Sequence, residues 1–176
     1  MLLAISYIAI WGFISGVRLL LQGLQSLCTK WVTEYEVPDF QFRAVLACDN
    51  EPAVQAHLLA QHGMNLLCTR VEDLLNDRVM NLVSKRIECV RPCDIFHAGF
   101  VCKDISMMNS QRKKNKGCIR NQTGKTGGTF AALLGYVKKH RPFLTVLENV
   151  PSTIWVNPAY DHTRWVAKAV VRMQYT

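Results

Sequence analysis

The stretch Arg43-Ala-Val-Leu-Ala-Cys-Asp-Asn50 is a short apolar run that ends on two polar residues. Runs of this length, bounded by turn residues, are typical of buried strands. Pro52 then stands in position for the first turn of a helix, and Gly63 follows the expected last turn. Proline at the start and glycine after the end are the usual helix boundaries. The segment therefore predicts a strand followed by a helix.

The same alternation continues along the chain. Further strands are predicted at 65–68, 94–98 and 143–147, the last one buried, and further helices at 71–85, 128–140 and 159–172. The helix at 71–85 rests on a helical spacing of apolar residues, namely Val71, Leu74, Leu75, Val79, Leu82 and Val83. Short buried strands that alternate with helices predict an α/β fold, a parallel sheet with helices on both faces.

The apolar N-terminal run, residues 1–16, has three interpretations: a signal peptide, a membrane anchor or the first buried strand. No basic residue precedes the run, and it is shorter than the roughly 20 residues that span a bilayer. We favour a strand, a turn at Ser15-Gly16 and an amphipathic helix, whose apolar residues are Val17, Leu20, Leu21, Leu24 and Leu27.

Composition limits the class of protein. The chain has 176 residues, 49% of them apolar, which fits one domain with a core. Its net charge of +8 favours an anionic partner, nucleic acid first. The seven cysteines match neither a disulfide scaffold nor a zinc site, because the pair Cys89 and Cys93 lacks a second pair. We therefore expect reduced thiols, no metal and an intracellular protein.

Polar residues follow three of the predicted strands. They are Asp49-Asn50, the segment 99–103 with Cys102, and Glu148-Asn149. In parallel sheets, ligands bind beyond the carboxyl ends of the strands. One edge of the sheet would then carry a carboxylate, a cysteine and a second carboxylate, which predicts an active site.

A connection of unusual length, 101–127, precedes the helix predicted at Gly128, and such loops are often functional. Its stretch 112–125 contains basic residues and no acid, so it is either a solvated loop or a phosphate clamp. Gly124-Lys125-Thr126 is similar to part of a phosphate-binding loop, but Ile119 stands where that motif needs glycine. An ATPase is therefore disfavoured.

Two motifs resemble those of the DNA (cytosine-5)-methyltransferases. Residues 94–106, DIFHAGFVCKDIS, resemble the nucleophile loop D-x-x-x-x-G-x-P-C-Q-x-x-S, and residues 141–150, RPFLTVLENV, resemble the signature R-P-x-x-x-x-x-E-N-V. Between them, 125–130 (KTGGTF) is similar to the segment that opens the intervening helix, and 47–53 (ACDNEPA) to the segment with the cofactor acid. The order and the approximate spacing agree over about residues 40–175.

The resemblance implies a partial Rossmann-like methyltransferase fold that uses S-adenosyl-L-methionine to methylate carbon 5 of cytosine in DNA. Cys102 is the implied nucleophile, since a thiolate must add to carbon 6, and the adjacent Lys103 would favour the thiolate. Glu148 is the implied acid at ring nitrogen 3. Asn149 completes the catalytic set and is expected to hold the loop.

The resemblance also implies cofactor and nucleic-acid contacts. The cofactor residues would be Asp49, at the ribose, with Asn50, either Glu72 or Asp73 at the adenine, and Gly99 and Phe100. Asp49 has the alternative role of capping the helix that follows it. The residues expected to bind nucleic acid and hold a flipped base are Lys103, Ser106, Arg112, Lys113, Lys114, Lys116, Arg120 and Lys125.

The chain also departs from the family pattern. Val101 and Lys103 replace proline and glutamine beside the nucleophile, and Phe13–Val17 contains one glycine where the family has a glycine-rich turn. The family's Q-x-R-x-R strand and target-recognition region have no counterpart up to Thr176, so residues 1–176 are expected to form one incomplete catalytic domain. The alternatives are an inactive homologue that binds nucleic acid and a tRNA cytosine methyltransferase. A eukaryotic protein of this class is expected in the nucleus.

Overall fold

A computed structural model describes residues 2–8, 26, 30, 41–61, 64–111, 114 and 117–149, with backbone alone for 2–8, 41, 42 and 61. Five of its strands form one sheet. They are β1 (Leu2–Ile8), β2 (Gln41–Cys48), β3 (Leu66–Cys68), β6 (Ile95–Gly99) and β7 (Leu144–Glu148). Their order is β3-β2-β1-β6-β7, and every neighbouring pair is parallel. The predicted parallel sheet is therefore confirmed, including a strand within the apolar N-terminal run.

The strand order reverses between β1 and β6, as in doubly wound sheets, where ligands bind outside the carboxyl ends of the strands. Two helices make crossover connections between neighbouring strands. Helix α1 (Pro52–Gln61) joins β2 to β3, and α3 (Gly124–His140) joins β6 to β7. A short helix, α2 (Cys118–Asn121), lies just before α3. Pro52 is the first residue of α1, as the sequence predicts.

The core consists of two clusters of buried residues. Val54 and Leu58 of α1 belong to one cluster, together with Ala44, Ala47 and Leu67 of the sheet. The larger cluster contains Phe130, Leu133 and Tyr136 of α3 with residues of the other sheet face, among them Leu46, Leu66, Phe96 and Ala98. Helices thus cover both faces of the sheet, as the sequence predicts.

A bulge in β2 explains why two residues that are two positions apart in this strand lie on opposite faces of the sheet. Ile5 is opposite Ala44, whereas Ser6 is opposite Leu46, so Val45 is the extra residue. Residues two apart in a regular strand lie on the same face. Because of the bulge, Ala44 belongs to the α1 cluster and Leu46 to the α3 cluster.

The predicted helix at 71–85 is wrong. The structure has a 3₁₀ helix (Val71–Leu75) followed by an antiparallel hairpin of β4 (Arg78–Asn81) and β5 (Arg86–Cys89). The apolar residues fit a helical period, but the chain turns at 82–85, where Lys85 has a φ of 58°. Val79 is buried while Met80 is exposed, the alternation of a strand.

Two other element predictions need correction. Helix α3 begins at Gly124, four residues before the predicted start, so its first turn belongs to the segment expected to be a basic loop. Strand β7 (Leu144–Glu148) is present, but none of its residues is fully buried and Leu144 is 44% accessible. Phe143, the first residue of the predicted strand, precedes β7 and is 88% accessible, so the expected burial is wrong. The end of α3 is as expected, with Lys138, Lys139 and His140 in its last turn.

Some sequence predictions lie outside the described residues. These are the turn at Ser15-Gly16, the helix after it, the glycine-poor turn at 13–17, Gly63 as the helix stop and the helix at 159–172. Among the residues that are described, no helix has both the length and the apolar character needed to cross a bilayer.

Candidate active site

The carboxyl ends of the parallel strands meet at one edge of the sheet. Asp49 follows β2, Thr69 follows β3, and the segment from Phe100 to Lys103 follows β6. A cavity of about 560 Å³ opens at this edge. Its lining residues are Cys48, Asp49, Asn50, Thr69, Arg70, Val71, Glu72, Val101, Lys103, Gly124, Lys125, Gly128 and Thr129. The volume lies within the range of about 300–1,000 Å³ usual for small-molecule sites.

The two carboxylate oxygens of Asp49 have different surroundings. Oδ1 accepts a hydrogen bond from the main-chain N–H of Glu51 (2.8 Å), at the start of α1. Oδ2 is buried and has no hydrogen-bond partner among the described residues. Burial raises the pKa of Asp49 to about 6, although the bond from Glu51 opposes the shift. One oxygen therefore caps α1, and the other remains an acceptor beside the cavity.

The other predicted cofactor residues are distributed around this edge. Asn50 and Glu72 line the cavity, and Glu72 pairs with Arg70 at 3.5 Å. Asp73 is half-buried in the 3₁₀ helix and is not among the lining residues. Of the two acids that the sequence left open for the adenine, the structure therefore brings Glu72 to the cavity.

Gly99 and Phe100 are adjacent to the cavity wall without being among its lining residues. Phe100 is buried and contacts Phe130 of α3, with ring centroids 5.2 Å apart. Phe100 therefore belongs to the core beneath α3. Val101, which follows it, reaches the cavity.

Cys102 begins a helical turn that follows β6 after Phe100 and Val101. Its main-chain oxygen accepts hydrogen bonds from the N–H groups of Ile105 (3.1 Å) and Ser106 (2.8 Å). Ile105 is 1% exposed and anchors the turn in the core, whereas Cys102 itself is half-buried at the edge of the core. Ser106 is half-buried, and its hydroxyl oxygen accepts a bond from the N–H of Met108 (3.3 Å).

The other described cysteines differ from Cys102 in their surroundings. Of the six described cysteines, all free thiols, four are buried and only Cys89 and Cys102 are not. Burial raises the pKa of Cys48 well above its usual range, and burial with the charge of Asp104 raises the pKa of Cys118 to about 11. The thiolate is the reactive form. Their surroundings therefore disfavour the thiolate of Cys48 and of Cys118 at neutral pH.

Glu148 ends β7, and Asn149 follows it near the start of the Cys102 turn. Gly99 and Glu148 are register partners on β6 and β7, and a Cβ at Gly99 would lie 3.1 Å from Glu148 Oε2. The side-chain amide of Asn149 donates to the carbonyl of Phe100 (2.9 Å). Asn149 therefore ties the end of β7 to the chain two residues before Cys102.

The predicted nucleic-acid contacts are described in part. Lys103 and Lys125 are exposed and line the cavity, and Lys114 and Arg120 are exposed elsewhere on the same connection. Arg112, Lys113 and Lys116 lie outside the described residues. Lys103 and Lys125 are thus brought together, although 22 positions separate them in the sequence.

Sequence reasoning missed three residues that shape this edge. Asp104 Oδ2 accepts a bond from the N–H of Thr126 (2.8 Å), and the N–H of Asp104 donates to Thr126 Oγ1 (3.1 Å). Gly127 allows α2 to approach α3, since a Cβ there would lie 2.3 Å from the carbonyl oxygen of Cys118. The small residues at 124–129 are the sequence feature that indicates close packing here, but they do not indicate which segment packs against them.

The described residues contain no group of three or more histidine, cysteine, aspartate or glutamate side chains placed to hold a metal ion. Cys89 is exposed on β5 and Cys93 is buried. The hydroxyl of Tyr136 lies 3.6 Å from the Cys93 sulfur and also donates to the carbonyl of Arg91 (2.9 Å). The surroundings of Cys93 are those of a structural thiol in the core.

A comparison with known proteins shows what part of the chain is similar to. Over 114 residues, 65% of its length, the chain is 30% identical to the DNA (cytosine-5-)-methyltransferase DMT5 of Cryptococcus neoformans var. grubii. The chain spans 5% of the length of that protein. No protein-family model matches the chain. The chain is therefore similar, over most of its length, to a small part of a DNA cytosine-5-methyltransferase.

Proposed function

We propose that this chain carries catalytic residues of a DNA cytosine-5-methyltransferase with a Rossmann-like fold. The observation that carries the proposal is the proximity of the two motif segments. Cys102 follows β6, Glu148 ends the neighbouring parallel strand β7, and the Asn149 side chain donates to the carbonyl of Phe100, two residues before Cys102. Their order in the sequence and the similarity to DMT5 support the same activity.

Cys102 is the nucleophile in this proposal. Its thiolate adds to carbon 6 of cytosine and forms a carbon–sulfur bond. The electrons of the 5,6 double bond shift to a 4,5 double bond, and those of the 3,4 double bond move onto ring nitrogen 3. Cys102 is suited to this because it is half-buried next to the cavity wall, whereas the thiols of Cys48 and Cys118 are buried. Lys103 adds positive charge at the same wall.

Glu148 is the proton donor. Its carboxyl group gives a proton to ring nitrogen 3 as the ring gains electron density, a contribution of typically about 10²–10⁴-fold. After methylation, carbon 5 loses its proton to a base, the carbon–sulfur bond breaks, and nitrogen 3 returns its proton to Glu148. Asn149 holds the segment before Cys102 and does not take part in proton transfer.

S-adenosyl-L-methionine, when bound, supplies the methyl group that carbon 5 takes up. The fit of the cavity to this cofactor rests on Asp49, whose buried Oδ2 has no partner within the described part of the chain and is an acceptor suited to a ribose hydroxyl. Asn50 and Glu72 line the same cavity and are suited to polar groups of the nucleoside. Gly99, Phe100 and Asp73, which the family resemblance also suggests, stand in this proposal as supports of the wall.

DNA is the proposed partner. The target base must leave the duplex, at a cost of a few kcal/mol, before Cys102 can reach carbon 6. The exposed cations Lys103 and Lys125, with Lys114 and Arg120 on the same connection, offset part of that cost through contacts with phosphates. Arg112, Lys113, Lys116 and the hydroxyl of Ser106 complete the proposed set. In a eukaryote, this activity belongs in the nucleus.

The decisive experiment is covalent trapping. The protein is incubated with S-adenosyl-L-methionine and DNA that contains 5-fluorocytosine, which blocks release because carbon 5 then has no proton to lose. We expect an adduct that survives a denaturing gel and maps to Cys102, and none with Cys102→Ser. The matched control is Cys89→Ser, which changes the other described thiol that is not buried.

Two other outcomes identify the alternatives. An adduct with the corresponding RNA but not with DNA indicates a tRNA cytosine methyltransferase. DNA binding without any adduct, from protein shown to be folded by circular dichroism, indicates a homologue that binds nucleic acid without catalysis. Either result contradicts the proposed activity.

A further inference from the structure

The helical turn that begins at Cys102 is attached to the first turn of α3 by a reciprocal pair of hydrogen bonds. The Asp104 carboxylate accepts from the N–H of Thr126 (2.8 Å), and the Asp104 N–H donates to the Thr126 hydroxyl oxygen (3.1 Å). Thr126 is completely buried. Reciprocal bonds of this kind form the capping box of a helix, here made between segments that are 22 residues apart.

Helix α3 obtains its N-terminal cap from this contact. Thr123, which precedes the helix, makes no capping bond with its side chain, and the first turn contains no acid. The first N–H groups of a helix lack partners within it and carry partial positive charge. The Asp104 carboxylate accepts a hydrogen bond from one of these N–H groups, that of Thr126, and its negative charge is attracted to the positive end of the helix.

Gly124 makes room for the contact. Its φ of 67° is rare for residues with a side chain, and a Cβ there would lie 2.5 Å from Asp104 Oδ2. A larger residue at 124 would therefore have to displace the carboxylate. The sequence of α3 is thus adapted to Asp104 at two positions, Gly124 and Thr126.

We propose that Asp104 is a positioning residue, which holds the Cys102 turn against α3 and so fixes the Cys102 thiol beside the cavity. The proposal rests on the proposed function, because it assumes that Cys102 is the nucleophile. Asp104 is two residues from Cys102, within the turn that closes on the Cys102 carbonyl, so the turn shifts as a unit. A displacement of about 1 Å at a reacting group can cost about 100-fold in rate.

The test compares Asp104→Ala, which removes the acceptor, with Asp104→Asn, which keeps an oxygen for the Thr126 N–H. The rate of adduct formation with 5-fluorocytosine DNA is expected to fall about tenfold or more in Asp104→Ala and to stay within about threefold of the unmodified protein in Asp104→Asn. Both variants should bind DNA with an unchanged Kd. The matched control is Asp77→Ala, which removes an exposed acid paired with Lys139 at the other end of α3.

A second measurement does not depend on the reaction. Alkylation of each cysteine by iodoacetamide is followed by mass spectrometry without DNA. Because Cys102 is half-buried, a loosened turn should expose it, and Asp104→Ala is expected to raise its alkylation at least threefold relative to Cys89. If Asp104→Ala does not fold, Thr126→Val, which lacks the hydroxyl acceptor, replaces it, with Thr126→Ser as its match.

The outcomes separate this proposal from the proposed function. If the unmodified protein gives no adduct, the proposed function fails, and the alkylation ratio still decides whether Asp104 positions Cys102. If Asp104→Ala leaves both the adduct rate and the alkylation ratio unchanged, the positioning role is overturned. A slower adduct rate in Asp104→Ala without any rise in the alkylation of Cys102 overturns it as well, because the Cys102 turn would then not have moved.

Discussion

Asp49 has a structural and a proposed functional role, carried by different oxygens of the same carboxylate. Oδ1 is bound to the N–H of Glu51, and Oδ2 is buried without a partner among the described residues. Capping α1 requires one side-chain acceptor, which an uncharged asparagine or serine also provides. The second carboxylate oxygen of Asp49 is therefore not needed for the cap. The buried carboxylate therefore costs stability, as is common for groups retained for binding.

This cost depends on pH. The pKa of Asp49 is raised from 3.8 to about 6, so the folded chain holds its proton more tightly than the unfolded chain. The stabilisation by the proton is fully present below pH 3.8 and is lost as pH rises through about 6. Asp49→Asn keeps a cap and carries no charge. We expect it to raise the free energy of unfolding at pH 7.5 by about 1–3 kcal/mol, and by almost nothing near pH 4.

Urea denaturation at the two pH values measures this difference. The same variant should lose binding of S-adenosylhomocysteine in calorimetry at pH 7.5, because an amide is a weaker acceptor for ribose hydroxyls. Asp77→Asn, which changes an exposed acid that does not contact Asp49, is the control and should change neither quantity much. A variant that is no more stable than the unmodified protein at pH 7.5 would show that the Asp49 carboxylate carries no such cost.

At the scale of elements, the hairpin of β4 and β5 depends on one buried side chain. Asn81 is fully buried, and its Oδ1 accepts from the N–H groups of Leu67 (3.1 Å) and Val83 (2.9 Å). Its Nδ2 donates to the carbonyl of Asn65 (2.7 Å). This one amide joins β4 to β3 and forms the turn that follows β4.

Replacing Asn81 with leucine should therefore be costly. The change leaves the buried N–H of Leu67 without a partner, as well as the partly buried N–H of Val83 and the partly buried carbonyl of Asn65. A fully buried group without a partner costs about 1–3 kcal/mol, so we expect a loss of about 2 kcal/mol or more in the free energy of unfolding. Asn76→Ala is the matched control, since Asn76 is exposed and a surface substitution is usually within about 0.5 kcal/mol. Urea denaturation compares them, and a loss below about 1 kcal/mol for Asn81→Leu contradicts the assigned role.

Asn81 also explains which parts of the fold the sequence could predict. Strands of the parallel sheet are short apolar runs that can be recognised from neighbouring residues alone. The predicted bounds of β2, β3 and β6 therefore agree with the structure to within one or two residues. The hairpin was missed because its apolar spacing also fits a helix, and the deciding bonds of Asn81 reach back to residues 65 and 67. A single sequence does not reveal such long-range partners.

In the candidate site too, some residues could be predicted from the sequence and others could not. Asp49 and Cys102 follow strands and Glu148 ends one, so a parallel sheet brings them to one edge once the strands are recognised. Asp104 gave no such signal, because its role depends on the close approach of α3 at Gly124 and Thr126. Contacts between two helices or turns depend on packing that local patterns do not contain.

At the scale of the whole molecule, the net charge of +8 indicates where DNA binds only if particular basic residues can be assigned to the binding surface. Helix α3 offers a comparison, because Lys125 lies in its first turn beside the cavity and Lys138 lies exposed in its last turn. At 1.5 Å per residue, the two lysines are about 20 Å apart along one rigid helix. They have equal charge and differ in their distance from the proposed site.

DNA affinity should therefore depend on Lys125 and not on Lys138. Each phosphate contact contributes about 0.9 to the slope of log affinity against log salt concentration for duplex DNA. We expect Lys125→Ala to reduce that slope by about one, and Lys138→Ala to leave it unchanged, when affinity is measured by fluorescence anisotropy between 50 and 200 mM salt. If the two substitutions changed the slope equally, DNA affinity would depend on the overall charge of the chain. The proposal that DNA binds at the carboxyl edge of the sheet would then be contradicted.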